Sequence, residues 1–499
     1  MSILDRDRSI ALVIGGFTLL RLLLVAILPL APQEAYYWSW SRDLAWSYFD
    51  HPPLGTYSIA LTTALFGQTA FAIQTAAVLW SIGWNLIWAR LILDMFADRR
   101  LAFWSLVALN LTVLYEGCGI VMTPDAPMLF AWTGTIWAVW RASQSGDSRW
   151  WYAAGMFMGL AWLGKYSGVL LAPVVLLYLL FSPQQRHWLR TPHPYLALLV
   201  SAAMFAPVLI WNAQHEWVSF AFQGSQRISG MGGWKLHYFL VLLASQLALV
   251  TPYFFAVSIA AFVRGLRDWV AARADDRVRL LLFSGAVPLV LFTVVSFHTL
   301  VKMNWLAPAF WSLIILGMRG VLARERGGRW MGAGLASSAV FVALAVGVIA
   351  IPNVPLGGAN TWSGWKEAAG RVERVAETLR AAGQKPFIFS PNYKVSSLLR
   401  FYLPGQPRTF AQDIFGEPAL QFDYFPLERD LTGATGILVT DNLGESRFDR
   451  DRLHAYFDSV DLIDSLEIVG FGRVIRRVDI YRCSNYKGHP RRNDTRAGK

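Results

Sequence analysis

Apolar residues run in blocks of about 20 through the first 350 or so positions, each closed by a short polar or charged stretch. A helix of that length crosses a hydrocarbon layer of roughly 30 Å. Hydropathy places spans near 9–31, 70–90, 101–120, 127–141, 150–164, 166–181, 195–212, 238–263, 280–297, 305–322 and 330–350. The pattern predicts an α-helical polytopic membrane protein with about eleven transmembrane helices. The pair at 150–181 is divided only by Gly164-Lys165-Tyr166. The first block follows Arg6 and Arg8 as a signal sequence would. It exceeds the roughly 7–15 apolar residues of a cleavable segment and further spans follow, so it reads as an uncleaved signal-anchor.

After Ile351 the pattern changes. PNVPLGG reads as a linker, 365–383 and 394–402 as helices, and 386–390, 436–441 and 468–482 as strands. The expected division is a membrane domain over 1–350, a small α/β domain over 351–484, and a disordered basic tail over 485–499. Two connecting segments in the membrane domain are long, about 32–69 and about 213–237. The first is dense in Tyr and Trp, which suits helices lying in the headgroup layer. The second ends in a glycine-rich stretch.

Charge adds an orientation. With the N-terminus inside, most of the Arg and Lys flanking the spans fall on the cytoplasmic side, and the opposite side holds only Arg42, Lys165, Arg227, Lys235 and Lys302. Positive-inside sorting predicts that bias. An odd number of spans then puts the two long loops and the C-terminal domain outside. The net charge of +12 comes mostly from residues at the ends of apolar blocks, so a nucleic-acid partner is excluded and membrane lipids are the expected surroundings. Composition agrees, with 55% hydrophobic residues and 23 tryptophans. Two cysteines, Cys118 and Cys483, cannot frame a disulfide-stapled fold.

Ionisable residues at spans are costly, about 2.5–3.5 kcal/mol on insertion scales. Seven stand out, all on the expected outer side: Glu34, His51, Asp125, Lys165, His215, Arg227 and Lys302. Each has an ordinary reading as well. Asp125 between two prolines makes a sound helix start, the lysines can snorkel, and Arg227 and the histidines can be surface or turn residues. Taken together they offer a general base from a carboxylate and a phosphate clamp from the cations. That combination suits group transfer from a lipid phosphate, and equally the substrate path of a carrier.

Several segments resemble one family in order along the chain. Gln33-Glu34-Ala35-Tyr36-Tyr37-Trp38, Tyr48-Phe49-Asp50-His51-Pro52-Pro53, Thr123-Pro124-Asp125-Ala126-Pro127, Gly164-Lys165-Tyr166-Ser167, the stretch from Trp211 to Phe220, and Lys302-Met303-Asn304-Trp305 resemble elements of the protein O-mannosyltransferase and lipid A aminoarabinose transferase group. The resemblance implies the C-type glycosyltransferase fold with a periplasmic active site. It also implies a polyprenyl-phosphate sugar donor, and a lipid, glycan or protein acceptor at a bacterial inner membrane. On this reading the enzyme is a hexosyl- or pentosyltransferase. Asp125 or Glu34 takes the acceptor proton, Lys165, Lys302 and Arg227 hold phosphate, and Tyr36, Tyr37, Trp38, His51, His215 and Asn304 line the substrate site. No cofactor is implied with certainty; there is room for a divalent metal but no ligand cluster that requires one. The chain departs from the group at Gln33, where the group has Asp. An amide cannot accept the proton, so the base is Glu34 or Asp125, or activity is altered or lost. A flippase or transporter of a lipid-linked or anionic sugar, and a non-catalytic family member, are the alternatives.

Overall fold

The computed structural model describes residues 8–226, 232–324, 327–356, 360–426, 430–441 and 450–489. Arg227 and the tail beyond 489 therefore lie outside the described residues. The chain divides into two compact units, one of residues 1–26 and 51–346 and the other of 27–50 and 347–499.

The helices in chain order are α1 (Arg8–Val25), α2 (Pro32–Ser41), α3 (Leu54–Phe66), α4 (Ala70–Phe96), α5 (Arg99–Asn110), α6 (Val113–Ile120), α7 (Asp125–Ser145) and α8 (Arg149–Gly164). They continue with α9 (Leu171–Phe181), α10 (His193–Gln214), α11 (Leu236–Leu249), α12 (Pro252–Val270), α13 (Asp276–Ser296), α14 (Ala307–Leu322) and α15 (Gly327–Ala350). Helices α16 (Trp365–Ala381) and α17 (Tyr393–Tyr402) follow in the second unit. Six helical segments among the described residues are long and apolar enough to cross a membrane, and eight if each of two bent pairs counts as one span. The other spans expected from hydropathy correspond to helices that are shorter or carry more polar residues, such as α8 and α9.

Both bends have a local cause. Between α5 and α6 the axis turns by 73°. The hydroxyl of Thr112 accepts the Tyr115 amide at 3.4 Å and starts a new helix in a new direction. Between α11 and α12 the turn is 112°. Thr251 there has φ 67° and precedes Pro252, which has no amide hydrogen to continue the first helix. Elsewhere small residues let helices close up. Ser201 of α10 donates to the carbonyl of Gly155 in α8 at 2.9 Å, and a Cβ on Gly155 would clash with the Ala197 carbonyl oxygen of α10.

Among the described residues the second unit holds a five-stranded sheet of order β2-β1-β3-β5-β4. Its strands are β1 (Phe387–Phe389), β2 (Thr409–Phe410), β3 (Gly436–Asp441), β4 (Ser459–Gly470) and β5 (Arg473–Ser484). Strand β1 is parallel to β2 and β3, and β5 runs antiparallel to both β3 and β4. The stretch 468–482, read from sequence as one strand, is the turn and inner parts of a hairpin. Phe471 and Gly472, with φ 52° and 72°, reverse the chain.

Helix α2 belongs to this unit and packs on α17. The Tyr36 ring lies 4.6 Å from Tyr393, and its phenol oxygen accepts the Gln421 amide at 3.0 Å. Burial and the neighbouring Asp50 carboxylate hold the Tyr36 phenol well above its usual range. Arg408 binds Asp43 through both carboxylate oxygens at 2.7 and 2.9 Å, and Arg400 donates to the Ser39 carbonyl at 3.2 Å. Residues 32–50 of the aromatic segment expected to lie in the headgroup layer are thus held by side chains in the core of this unit.

Candidate active site

Three elements of the first unit meet at Asp125. The link Met122-Thr123-Pro124 delivers it to the first position of α7, where it is 1% exposed. Lys165 closes α8 in an extended conformation, φ −157° and ψ 142°. Its Nζ lies 2.7 Å from Asp125 Oδ1. Asn304 sits in a short 3₁₀ turn ahead of α14, and its Nδ2 donates to the other oxygen, Oδ2, at 2.6 Å. A buried carboxylate needs such partners, because an unpaired charge there carries a large desolvation penalty.

The lysine reaches Asp125 because two glycines flank it. A Cβ on Gly164 would lie 3.0 Å from the backbone nitrogen of Met128, so the end of α8 presses against the first turn of α7. A Cβ on Gly168 would meet the Ala161 carbonyl oxygen at 2.5 Å, so the following 3₁₀ turn folds back on the last turn of α8. The sequence Gly-Lys-Tyr-Ser-Gly is a tight reversal built around one cation.

The remaining expected site residues are distributed as follows. His51 is half-buried in the segment that leads into α3, and a Cβ on Gly55 of α3 would lie 3.8 Å from Met122 and Pro124. Lys302 is exposed, two positions ahead of Asn304. His215 is engaged at the end of α10, where its ring stacks on Trp211 at 4.0 Å and Nδ1 donates to the Trp211 carbonyl at 2.7 Å. Glu34, Tyr36, Tyr37 and Trp38 lie in α2, in the second unit. Glu34 is fully buried, and its Oε2 accepts the Ala31 amide at 2.9 Å, closing the N-terminus of its own helix. Trp38 is fully buried with its ring edge-on to Phe401 at 5.1 Å. Tyr36 and Trp38 are therefore core residues of that unit. Among the described residues no group of three or more His, Cys, Asp or Glu could hold a metal ion.

One polar cluster in the first unit escaped the sequence reading. Arg21 of α1 is fully buried and donates to Glu116 Oε2 of α6 through Nε at 3.1 Å and Nη2 at 2.8 Å. Nη2 also donates to Asn110 Oδ1 at 2.7 Å, and Asn110 Nδ2 donates to Asn85 Oδ1 at 2.7 Å. The signal was available: an arginine inside the first apolar block and a glutamate inside the third. The network fixes α6, which leads through Met122 to Asp125.

Comparison with known proteins places this geometry. The family model for dolichyl-phosphate-mannose-protein mannosyltransferase matches residues 50–211, which include Asp125 and Lys165. Lipid A galacturonosyltransferase RgtD of Rhizobium johnstonii is 25% identical over 316 residues, 62% of this chain and 65% of that protein. The undecaprenyl phosphate-alpha-4-amino-4-deoxy-L-arabinose arabinosyl transferase of Pseudomonas savastanoi pv. phaseolicola is 27% identical over 232 residues, 40% of this chain and 42% of that protein. The chain thus matches 65% and 42% of the length of these two curated relatives, less than two thirds of either. ArnT from Cupriavidus metallidurans superposes with a TM-score of 0.61 in its apo state, at 14% identity over 95% of this chain and 97% of that one. The same protein bound to undecaprenyl phosphate superposes with a TM-score of 0.60, at 15% identity over 94% of this chain and 97% of that one. Family model, relatives and solved structures agree, and the chain has the C-type fold of the membrane glycosyltransferase group that includes the protein mannosyltransferases and ArnT.

Proposed function

We propose that the chain transfers a sugar from a polyprenyl-phosphate donor to a lipid acceptor, with lipid A first among the acceptors to test, on the periplasmic face of a bacterial inner membrane. The observation that carries the proposal is the buried Asp125 carboxylate held from two other elements by Lys165 and Asn304. Both named relatives supply the chemistry, one acting on lipid A and the other using an undecaprenyl-phosphate sugar.

Asp125 acts as the general base. Oδ1, which accepts from Lys165, has a second lone pair that can take an acceptor hydroxyl, whereas Oδ2 already accepts from Asn304 and, at 3.5 Å, from the Thr123 hydroxyl. The hydroxyl oxygen forms a bond to the anomeric carbon, its proton passes to the carboxylate, and the bond from carbon to phosphate oxygen breaks with its electron pair on the phosphate. Positive charge grows on the sugar ring in that transition state. Lys165 and Lys302 balance the charge that grows on the departing phosphate. Asn304, neutral and bonded to Oδ2, keeps the carboxylate oriented without competing for the proton.

The test is transfer of label from undecaprenyl-phosphate sugars to lipid A in proteoliposomes. Asp125→Asn should lower transfer by about 10²–10⁴-fold, the usual worth of a general base. Glu34→Gln should stay within about tenfold of wild type if the protein folds normally, because its carboxylate caps a helix. The reverse order of the two variants would move the base to Glu34. Labelled lipid that crosses the bilayer with no sugar transferred by wild type would replace the transferase reading with a flippase.

A further inference from the structure

The hairpin β4–β5 ends in a turn that water does not favour. Its two central residues are both left-handed, Phe471 at φ 52° and Gly472 at φ 72°. Turns of this kind are normally filled by Asn-Gly or Gly-Gly, and a bulky side chain at positive φ is an outlier. Phe471 is nonetheless 71% exposed, and its neighbours Val469 and Val474 are 53% and 51% exposed. Three apolar side chains at a strained tip give nothing to the core of the sheet.

The position of the tip accounts for them. The Asn353 side chain donates to the Val469 carbonyl at 3.1 Å, and Gly470 packs so closely on the Asn353 carbonyl that a Cβ there would clash. Asn353 follows the last residue of α15, Ala350, by three positions, which span at most about 11 Å. Helix α15 is one of those long and apolar enough to cross a membrane. The tip is therefore held within one short link of the point where the chain leaves the hydrocarbon. Ile351 and Leu356, on that link, are also exposed and carry the apolar surface from the helix end towards the hairpin.

We propose that the β4–β5 tip is a membrane contact, with Phe471, Val469 and Val474 seated at the boundary of headgroups and acyl chains. Arg473, exposed beside Phe471, meets lipid phosphate. The occupant is the bilayer, because the apolar surface is continuous with the end of a transmembrane helix. A contiguous apolar patch marks an interaction surface, and an aromatic ring with an adjacent arginine suits the membrane interface. Backbone strain kept at an exposed aromatic then has a use. The contact ties the second unit's sheet to the membrane at a place distant in sequence from α15.

Spin labels in the full chain reconstituted in proteoliposomes test this. Phe471→Cys, Val474→Cys and Gln384→Cys are each made in a background with Cys118 and Cys483, both buried, replaced by Ala. Gln384 lies beyond the far end of α16, about 24 Å along that helix from Trp365. Collision rates are then measured with oxygen, which partitions into the bilayer, and with a water-soluble nickel chelate. Labels at 471 and 474 should collide several-fold more with oxygen relative to nickel than the label at 384. Equal ratios at all three sites overturn the proposal, as do labels at 471 and 474 shielded from both reagents, the signature of a protein partner. Two independent tip positions keep the test valid if one variant fails to fold.

Discussion

Removing the guanidinium of Arg21 should unsettle the first unit more than any other single truncation within it. Arg21→Met keeps the length and apolar body of the side chain but withdraws all three hydrogen bonds, two to Glu116 Oε2 and one to Asn110 Oδ1. Both charged side chains are almost wholly inaccessible, at 1% and 2% exposed. The other carboxylate oxygen, Glu116 Oε1, is buried with no hydrogen-bond partner among the described residues, so Glu116 relies on Arg21 alone. Breaking such a pair from one side costs about 3–5 kcal/mol. A typical protein is stable by roughly 5–15 kcal/mol, so the loss should be visible in any equilibrium measurement. Unfolding by SDS in mixed micelles, followed for wild type, Arg21→Met, Glu116→Gln and the double variant, measures it. Each single variant should be destabilised by about 3 kcal/mol or more, and the double variant by less than their sum, with a coupling of about 1–3 kcal/mol. Gly119→Ala is a charge-neutral check, since its Cβ would fall 2.6 Å from Arg21 Nε and push the guanidinium off its partners. An Arg21→Met protein within about 0.5 kcal/mol of wild type would refute the reasoning, because only a solvated pair is worth so little.

Two further outcomes follow from named contacts. Gly164→Ala places a methyl 3.0 Å from the Met128 nitrogen, so the end of α8 must shift by a few tenths of an ångström and carry Lys165 with it. Transfer should fall about tenfold or more with a modest loss of stability, about 1–3 kcal/mol, and unchanged transfer would show that the pairing tolerates misplacement. Asp43→Asn removes the two-point contact with Arg408 in the second unit, where Asp43 is partly exposed. That should cost about 1.5–3 kcal/mol and speed limited proteolysis within 42–50, and a digestion pattern like that of wild type would count against it.

Hydropathy made most of the apolar helices legible, because block length depends on the bilayer rather than on tertiary detail. It could not see the breaks at Thr112 and Thr251, where a cap and a proline redirect a helix inside one apolar run. The pairing of Asp125 with Lys165 and Asn304 was visible only as three separate polar residues near span ends. Nothing in sequence separation says that positions 125, 165 and 304 share one carboxylate. Arg21 and Glu116 lie within apolar blocks, where an ionisable residue is itself a signal of a buried partner, but which partner it meets is set by helix packing. In the C-terminal part the hairpin was misread as one strand because Phe471 is an unusual turn residue, and the turn signal rested on glycines alone.

Gln33 is the sharpest test of which carboxylate works. It occupies the first turn of α2 beside Glu34, where the family pattern has an acid. Glu34 is the nearest substitute by sequence, but it is fully buried and closes the start of its helix by accepting the Ala31 amide. Freeing it to take a proton would sacrifice that contact. Asp125 carries no such structural duty towards a backbone amide at its own helix start, where Pro124 is the cap residue and no side chain caps. If Asp125 is the base, restoring the acid with Gln33→Asp adds a second carboxylate that the chemistry does not need. Transfer by Gln33→Asp should then stay within about threefold of wild type, since a base contributes only where it reaches the reacting proton. A rise of about tenfold or more, retained in the Asp125→Asn background, would sink the assignment and make this chain a weakened enzyme missing its first acid.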